Sequence, residues 1–174
     1  MPGQPANVRH ATRDDEAGLF DLLMALHKDN GLGFPPRAQD VREAIRAATR
    51  EAVKTGTIIG VIEGENGEIA ASVCIALASW WYNRAAFYLD EIWLFVRPEY
   101  RARGHYDDDL FQYMIAYRNH IETETGRPWV LGASMISLKR LPAKMRLWSR
   151  HARLVGGIYV IDRKAERAVA QAAE

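Results

Sequence analysis

Leu89-Asp90-Glu91-Ile92-Trp93-Leu94-Phe95-Val96-Arg97-Pro98-Glu99-Tyr100-Arg101-Ala102-Arg103-Gly104-His105-Tyr106 decides the fold of this 174-residue chain. It reads as a buried-type strand running into an Arg/Gly turn, followed by a helix that Asp107, Asp108 and Asp109 would open. A strand, a basic glycine turn and a helix N-terminus together make an anion site, because free backbone N–H groups and the helix dipole both point at the turn. A phosphate-bearing ligand is therefore expected at mid-chain.

Upstream, residues Asn7 to Thr12 predict a short strand, and Thr12-Arg-Asp-Asp-Glu16 supplies an N-cap with acids in the first turn of a helix. Leu19, Leu22, Leu23 and Leu26 follow at helical spacing, and Asp29 to Pro36 is a loop because its glycines and prolines cannot continue that helix. A second helix is expected from about Ala38 to Lys54. Thr57 to Ile62 and Ile69 to Leu77 are β-branched runs joined by Glu63-Gly-Glu-Asn-Gly67, which predicts a hairpin. Downstream, the pattern predicts a helix from Asp107 to about Thr123, with Leu110, Phe111, Met114, Ile115 and Tyr117 or Arg118 inward. A strand at Pro128 to Ser134, a helix at Leu138 to His151 with Leu141, Met145 and Trp148 inward, and a strand at Leu154 to Ile161 complete the order. The first six residues and the tail from Lys164 are expected to be flexible, the tail helical by propensity.

The wording "V-x-P-E-Y-R" followed by Arg101-Ala102-Arg103-Gly104-His105-Tyr106 resembles the acetyl-CoA-binding motif of the GNAT-type N-acetyltransferases. The element order matches that family as well, so the resemblance covers nearly the whole chain. It implies one α/β (α+β) domain over residues 1–174 with the acyl-CoA N-acyltransferase fold, a mixed, mostly antiparallel central sheet flanked by helices. It also implies acetyl-CoA as co-substrate, with the pyrophosphate cradled by the backbone of Arg101, Ala102, Arg103, Gly104, His105 and Tyr106. The pantetheine arm would lie along Leu94, Phe95, Val96 and Arg97. Gly104 would let backbone approach phosphate, and Arg101 and Arg103 would add charge-assisted bonds. The activity implied is acyl transfer to a small-molecule or peptide amine. Its acceptor site would be built from the loops Gly31 to Pro36 and Ser79 to Arg84.

Such transfer needs a base for the amine's proton and an acid for the departing thiolate. Glu91 is the expected base, since apolar neighbours on its strand would raise its pKa. Parity complicates the assignment: Asp90 and Glu91 point to opposite faces, and the family's acid falls more often where Ile92 stands. At the position of the family's acid, a tyrosine on the last helix, this chain has Trp148, which cannot deliver a proton; Tyr159 or His151 could substitute, or the thiolate could take its proton from water. Tyr106 replaces a small residue at the turn, and the three aspartates behind it compete with a bound phosphate. These departures define the rival reading, a GNAT-fold binding or regulatory module without turnover.

Composition narrows the remaining classes. The 23 Lys and Arg against 22 Asp and Glu leave a net charge of +1, which provides no global field for nucleic acid. The basic run Lys139, Arg140, Lys144, Arg146, Arg150 and Arg153 reads as a solvated helix face, or as a grip on the CoA 3′-phosphate or an acidic partner. No metal-ligand spacing is present, so no metal is expected. The single cysteine, Cys74, lies in an apolar run and reads as a buried thiol in a reducing, cytoplasmic protein. No apolar run is long enough to cross a bilayer. Trp80-Trp81 and Tyr82 have three readings: substrate wall, core packing, or the contact of a homodimer.

Overall fold

The computed structural model describes residues 1–30, 35–80, 83–133 and 141–150. Its elements are β1 (Arg9–His10), α1 (Glu16–Asn30), α2 (Ala38–Arg50), α3 (Ala52–Thr55), β2 (Thr57–Glu63), β3 (Ile69–Trp80), β4 (Asn83–Val96), α4 (Tyr106–Thr125), β5 (Leu131–Ala133) and α5 (Leu141–Ser149). The expected strand at 154–161 and the C-terminal tail lie outside the described residues. The five strands form one sheet in chain order, antiparallel throughout except that β5 runs parallel to β4. α4 supplies the crossover that a parallel pair requires.

Each face of the sheet buries its own cluster. On one side α1 and α2 bring Leu19, Leu22, Ile45 and Ala48 onto Ile59, Val61, Cys74 and Phe95. On the other, α4 and α5 bring Leu110, Phe111, Tyr113, Met114, Leu147 and Trp148 onto Val73, Ile75, Leu89 and Val96. α1 starts after a single 3-10 turn, Arg13–Asp15, where Thr12 and Asp15 form a reciprocal capping box. Arg9 closes on Asp15 through two hydrogen bonds, both at 2.8 Å, and also pairs with Glu63, which ties β1 and β2 to the helix start.

Several boundaries differ from the sequence reading. The predicted helix over 38–54 is interrupted at Glu51, and Gly56 ends its second piece in the left-handed conformation (φ 61°). β3 continues to Trp80 and β4 begins at Asn83, because the two strands extend each other's ladder beyond the apolar core. On α4 the buried residues include Tyr113 and Ala116, whereas Ile115 and Tyr117 sit at the margin. On α5 the inward residues are Leu147 and Trp148, and Met145 is exposed. Tyr113 reaches the core because Gly60 on β2 has no side chain: a Cβ there would stand 2.6 Å from the Tyr113 ring.

One irregularity in β4 sets which side chains face which core. Along the β3–β4 ladder Cys74 pairs with Trp93 and Ile75 with Glu91, so Ile92 is the extra residue of a β-bulge. The bulge reverses the alternation of β4. Trp93 and Phe95 join the α1/α2 face, while Glu91, Leu94 and Val96 all join the α4/α5 face.

Candidate active site

A cavity of about 360 Å³ opens at the junction of α1, β4, the Arg/Gly turn, α4 and α5. Its floor is β4 from Ile92 to Val96. Its walls are Tyr100, Arg101, Gly104, Tyr106 and Asp107 on one side, Leu26, Asp29 and Asn30 at the end of α1, and Ala143, Lys144 and Leu147 on α5. Among the described residues β5 pairs with β4 at Leu89, Glu91 and the intervening Asp90, so the outer edge of β4 from Ile92 onward faces this cavity. A ligand lying there meets, at one end, strand backbone that no described strand pairs on that side and, at the other, the N-terminus of α4.

Six of the ten residues expected to hold the cofactor line the cavity: Leu94, Phe95, Val96, Arg101, Gly104 and Tyr106. Arg97, whose Nε donates to the Ile69 carbonyl at 2.8 Å, does not, and neither do Ala102, Arg103 and His105. The last three are exposed, and Arg103 stands over the Tyr100 ring with Glu65 3.8 Å away. At Gly104 a Cβ would meet nothing nearer than the Tyr106 ring at 3.8 Å, and the backbone is not left-handed there. The protein's own packing therefore does not demand glycine at this position. Open space beside a helix N-terminus fits backbone contact with a phosphate.

Arg101 is held firmly. Its Nε donates to the Val96 carbonyl at 3.0 Å, and its Nη2 to Asp29 at 2.7 Å. Nη1 is buried with no hydrogen-bond partner among the described residues. A buried guanidinium N–H without an acceptor costs free energy unless an anionic ligand supplies one. Tyr106 forms part of the wall, edge-on to Tyr100 at 6.0 Å between centroids. The aspartates behind it are partly compensated: Arg150 pairs with Asp108 at 2.6 Å and lies 3.9 Å from Asp107, and Asn7 donates to Asp109 at 2.8 Å.

Glu91 does not line the cavity. It is 1% exposed, beneath α5, where Lys144 Nζ meets its Oε1 at 2.8 Å and Trp148 Nε1 donates to its Oε2 at 3.2 Å. Burial pushes its carboxyl above the ordinary range, and the charge and hydrogen bond of Lys144 oppose that rise. Trp148 also packs edge-on against Phe111, 5.0 Å between centroids, so its ring is fixed on both sides. The parity problem in the sequence is thus resolved by the bulge: Ile92 is 52% exposed and looks into the cavity, while Glu91 takes the inner face.

The sequence reading missed Lys144, Asp29 and Ile92 as site residues. Lys144 carried a signal only as one member of a basic run, and its pairing with Glu91 needs α5 folded over β4. Tyr159, His151, Lys139, Arg140 and Arg153, together with the Trp81-Tyr82 segment and the proposed acceptor loop at 31–34, lie outside the described residues. Among the described residues no cluster of His, Cys, Asp and Glu could hold a metal ion, and no helix is long and apolar enough to cross a membrane.

Comparison with solved structures follows the same lines. A predicted acetyltransferase from Clostridium acetobutylicum, solved with acetyl-CoA, is 13% identical with a TM-score of 0.63, over 92% of this chain and 97% of that one. An acetyltransferase from Trypanosoma brucei is 15% identical with a TM-score of 0.57, over 89% and 97%. An aminoglycoside antibiotic 6′-N-acetyltransferase from Acinetobacter baumannii is 10% identical with a TM-score of 0.59, over 90% and 97%. No protein-family model and no curated protein matches the chain. At such identities the likeness is one of fold: this chain has the GNAT-type acyl-CoA N-acyltransferase fold, in a divergent sequence.

Proposed function

We propose that the protein is an acyl-CoA-dependent N-acyltransferase, with acetyl-CoA as donor and an amine as acceptor. The observation that carries this reading is the continuous cavity from the Arg101–Tyr106 turn along the open edge of β4 to Ile92 and Lys144. In it, Arg101 and the backbone around Gly104 would hold the pyrophosphate. The edge of Leu94 to Val96 would hydrogen-bond the pantetheine arm, which puts the thioester near Ile92 and Lys144. Glu91 remains the proposed proton acceptor, reached from the cavity through Lys144 Nζ rather than directly.

One observation favours a second reading, a binding module without turnover: Trp148, where the resemblance would put a tyrosine acid, donates its indole N–H to Glu91 at 3.2 Å. Two measurements separate the readings. Isothermal titration with CoA and acetyl-CoA is expected to show binding, and its absence at millimolar ligand would sink both the donor and the fold-based reading of the turn. Thiol release across a panel of amines is expected to show turnover that drops by roughly 100-fold or more in Glu91→Gln, the usual scale for loss of a general base. Binding without release on any amine would favour the module.

A further inference from the structure

Among the described residues that line the cavity, Lys144 is the one with a primary amine. Its side chain is 17% exposed, and its nitrogen touches a carboxylate that is otherwise sealed from solvent. We propose that Lys144 is itself an acyl acceptor: with an acyl-CoA in the cavity, its ε-amine takes the acyl group and becomes an Nε-acyl-lysine, with Glu91 as the base. This rests on the acyl-CoA reading of the cavity and adds to it the identity of one acceptor.

Three features of the geometry meet at this nitrogen. From Val96 back to Ile92 the strand rises about 13 Å at roughly 3.3 Å per residue, and an extended pantetheine arm laid along it runs toward that end. A pyrophosphate on the Arg101–Gly104 turn therefore delivers its thioester to the Lys144 end of the cavity. Second, the base is already in contact, at 2.8 Å, and Trp148 holds the other carboxylate oxygen so that Oε1 stays aimed at Nζ. Third, the carboxylate is buried and the ammonium largely so, and passing a proton from one to the other replaces two desolvated charges by two neutral groups. Holding amine, base and thioester in one site supplies the positional advantage of an intramolecular reaction.

The Lys144 ammonium gives one proton to Glu91, leaving a neutral amine whose lone pair attacks the thioester carbon. The carbon–sulfur bond breaks, CoA leaves as a thiolate, and it takes the second proton from the new nitrogen–carbon linkage to become the free thiol. Glu91 returns its proton to water. The amide is a stable product, so the reaction runs once per chain and removes the cation that faced the cavity.

The test needs no external acceptor. The full chain is incubated with acetyl-CoA, followed by intact mass and peptide mapping, with CoA binding measured by titration on the same samples. The expected result is one acetyl group per chain on Lys144, absent in Lys144→Arg and slowed by about 100-fold in Glu91→Gln. Acetyl phosphate serves as the control for non-specific labelling of exposed lysines. CoA binding without acetyl on Lys144, or labelling of Lys144 as fast in Glu91→Gln as in the unaltered chain, would overturn this inference and leave the cofactor reading standing. Failure to bind CoA would remove the cofactor reading itself. If Lys144→Arg does not fold, the peptide map of the unaltered chain still decides the site.

Discussion

Glu91, Lys144 and Trp148 form a unit whose members cannot be altered singly without consequence. Lys144→Met would leave a buried carboxylate without its ammonium partner, and breaking a buried pair in this way costs about 3–5 kcal/mol. Lys144 keeps some contact with solvent, so the lower end of that range is expected. The cost also depends on pH, and its sign follows from Glu91. Its folded-state pKa already lies above the ordinary value of 4.5 because of burial, and loss of Lys144 removes the main opposing interaction. A carboxyl with a raised folded-state pKa binds its proton more tightly in the native state, so stability falls as pH rises from the ordinary value through the raised one. Denaturant melts of Lys144→Met are therefore expected to show most of the loss in neutral buffer and much less in mildly acid buffer. A loss independent of pH would mean that Glu91 is not the group left exposed to the change.

β4 and α4 are the elements that make the site, and each depends on a local exception to regular structure. The bulge at Ile92 puts Glu91 and Leu89 on the same face as Leu94 and Val96, while Phe95 faces the other core by ordinary alternation. Tyr113 on α4 lies flat on β2 where Gly60 leaves room, and its hydroxyl meets His10 Nδ1 at 2.7 Å across to β1. Gly60→Ala would drive a methyl to within 2.6 Å of the fully buried Tyr113 ring. Overpacking of this kind costs about 1–3 kcal/mol, and a chemical-denaturation midpoint should report it. Gly67→Ala in the hairpin turn meets no atom but is strained by its left-handed backbone (φ 80°). The helices and the hairpin were legible in periodicity and turn residues. The faces of α4 and α5 were less so, because Tyr113 is buried by a glycine on another strand and Met145 is displaced by how α5 crosses β4.

At the scale of the whole molecule, the cavity exists because five elements converge at one end of the sheet, and a ligand there would touch both cores at once. Binding to the native state alone stabilises it by mass action, about 2.7 kcal/mol at a ligand concentration one hundred times the dissociation constant. Thermal melts with CoA are expected to rise with concentration, and Arg101→Ala to shift that response to higher CoA. An unchanged response in Arg101→Ala would remove Arg101 from the proposed phosphate contacts. The turn Arg101–Tyr106, the strand before it and the order of elements could be read from the sequence, since they follow from local apolar pattern, glycine and charge. Asp29 as the partner of Arg101, the bulge that turns Glu91 inward, and the placing of Lys144 between Glu91 and the cavity could not. Each joins residues tens of positions apart, and long-range packing, which local propensity does not encode, decides such pairs.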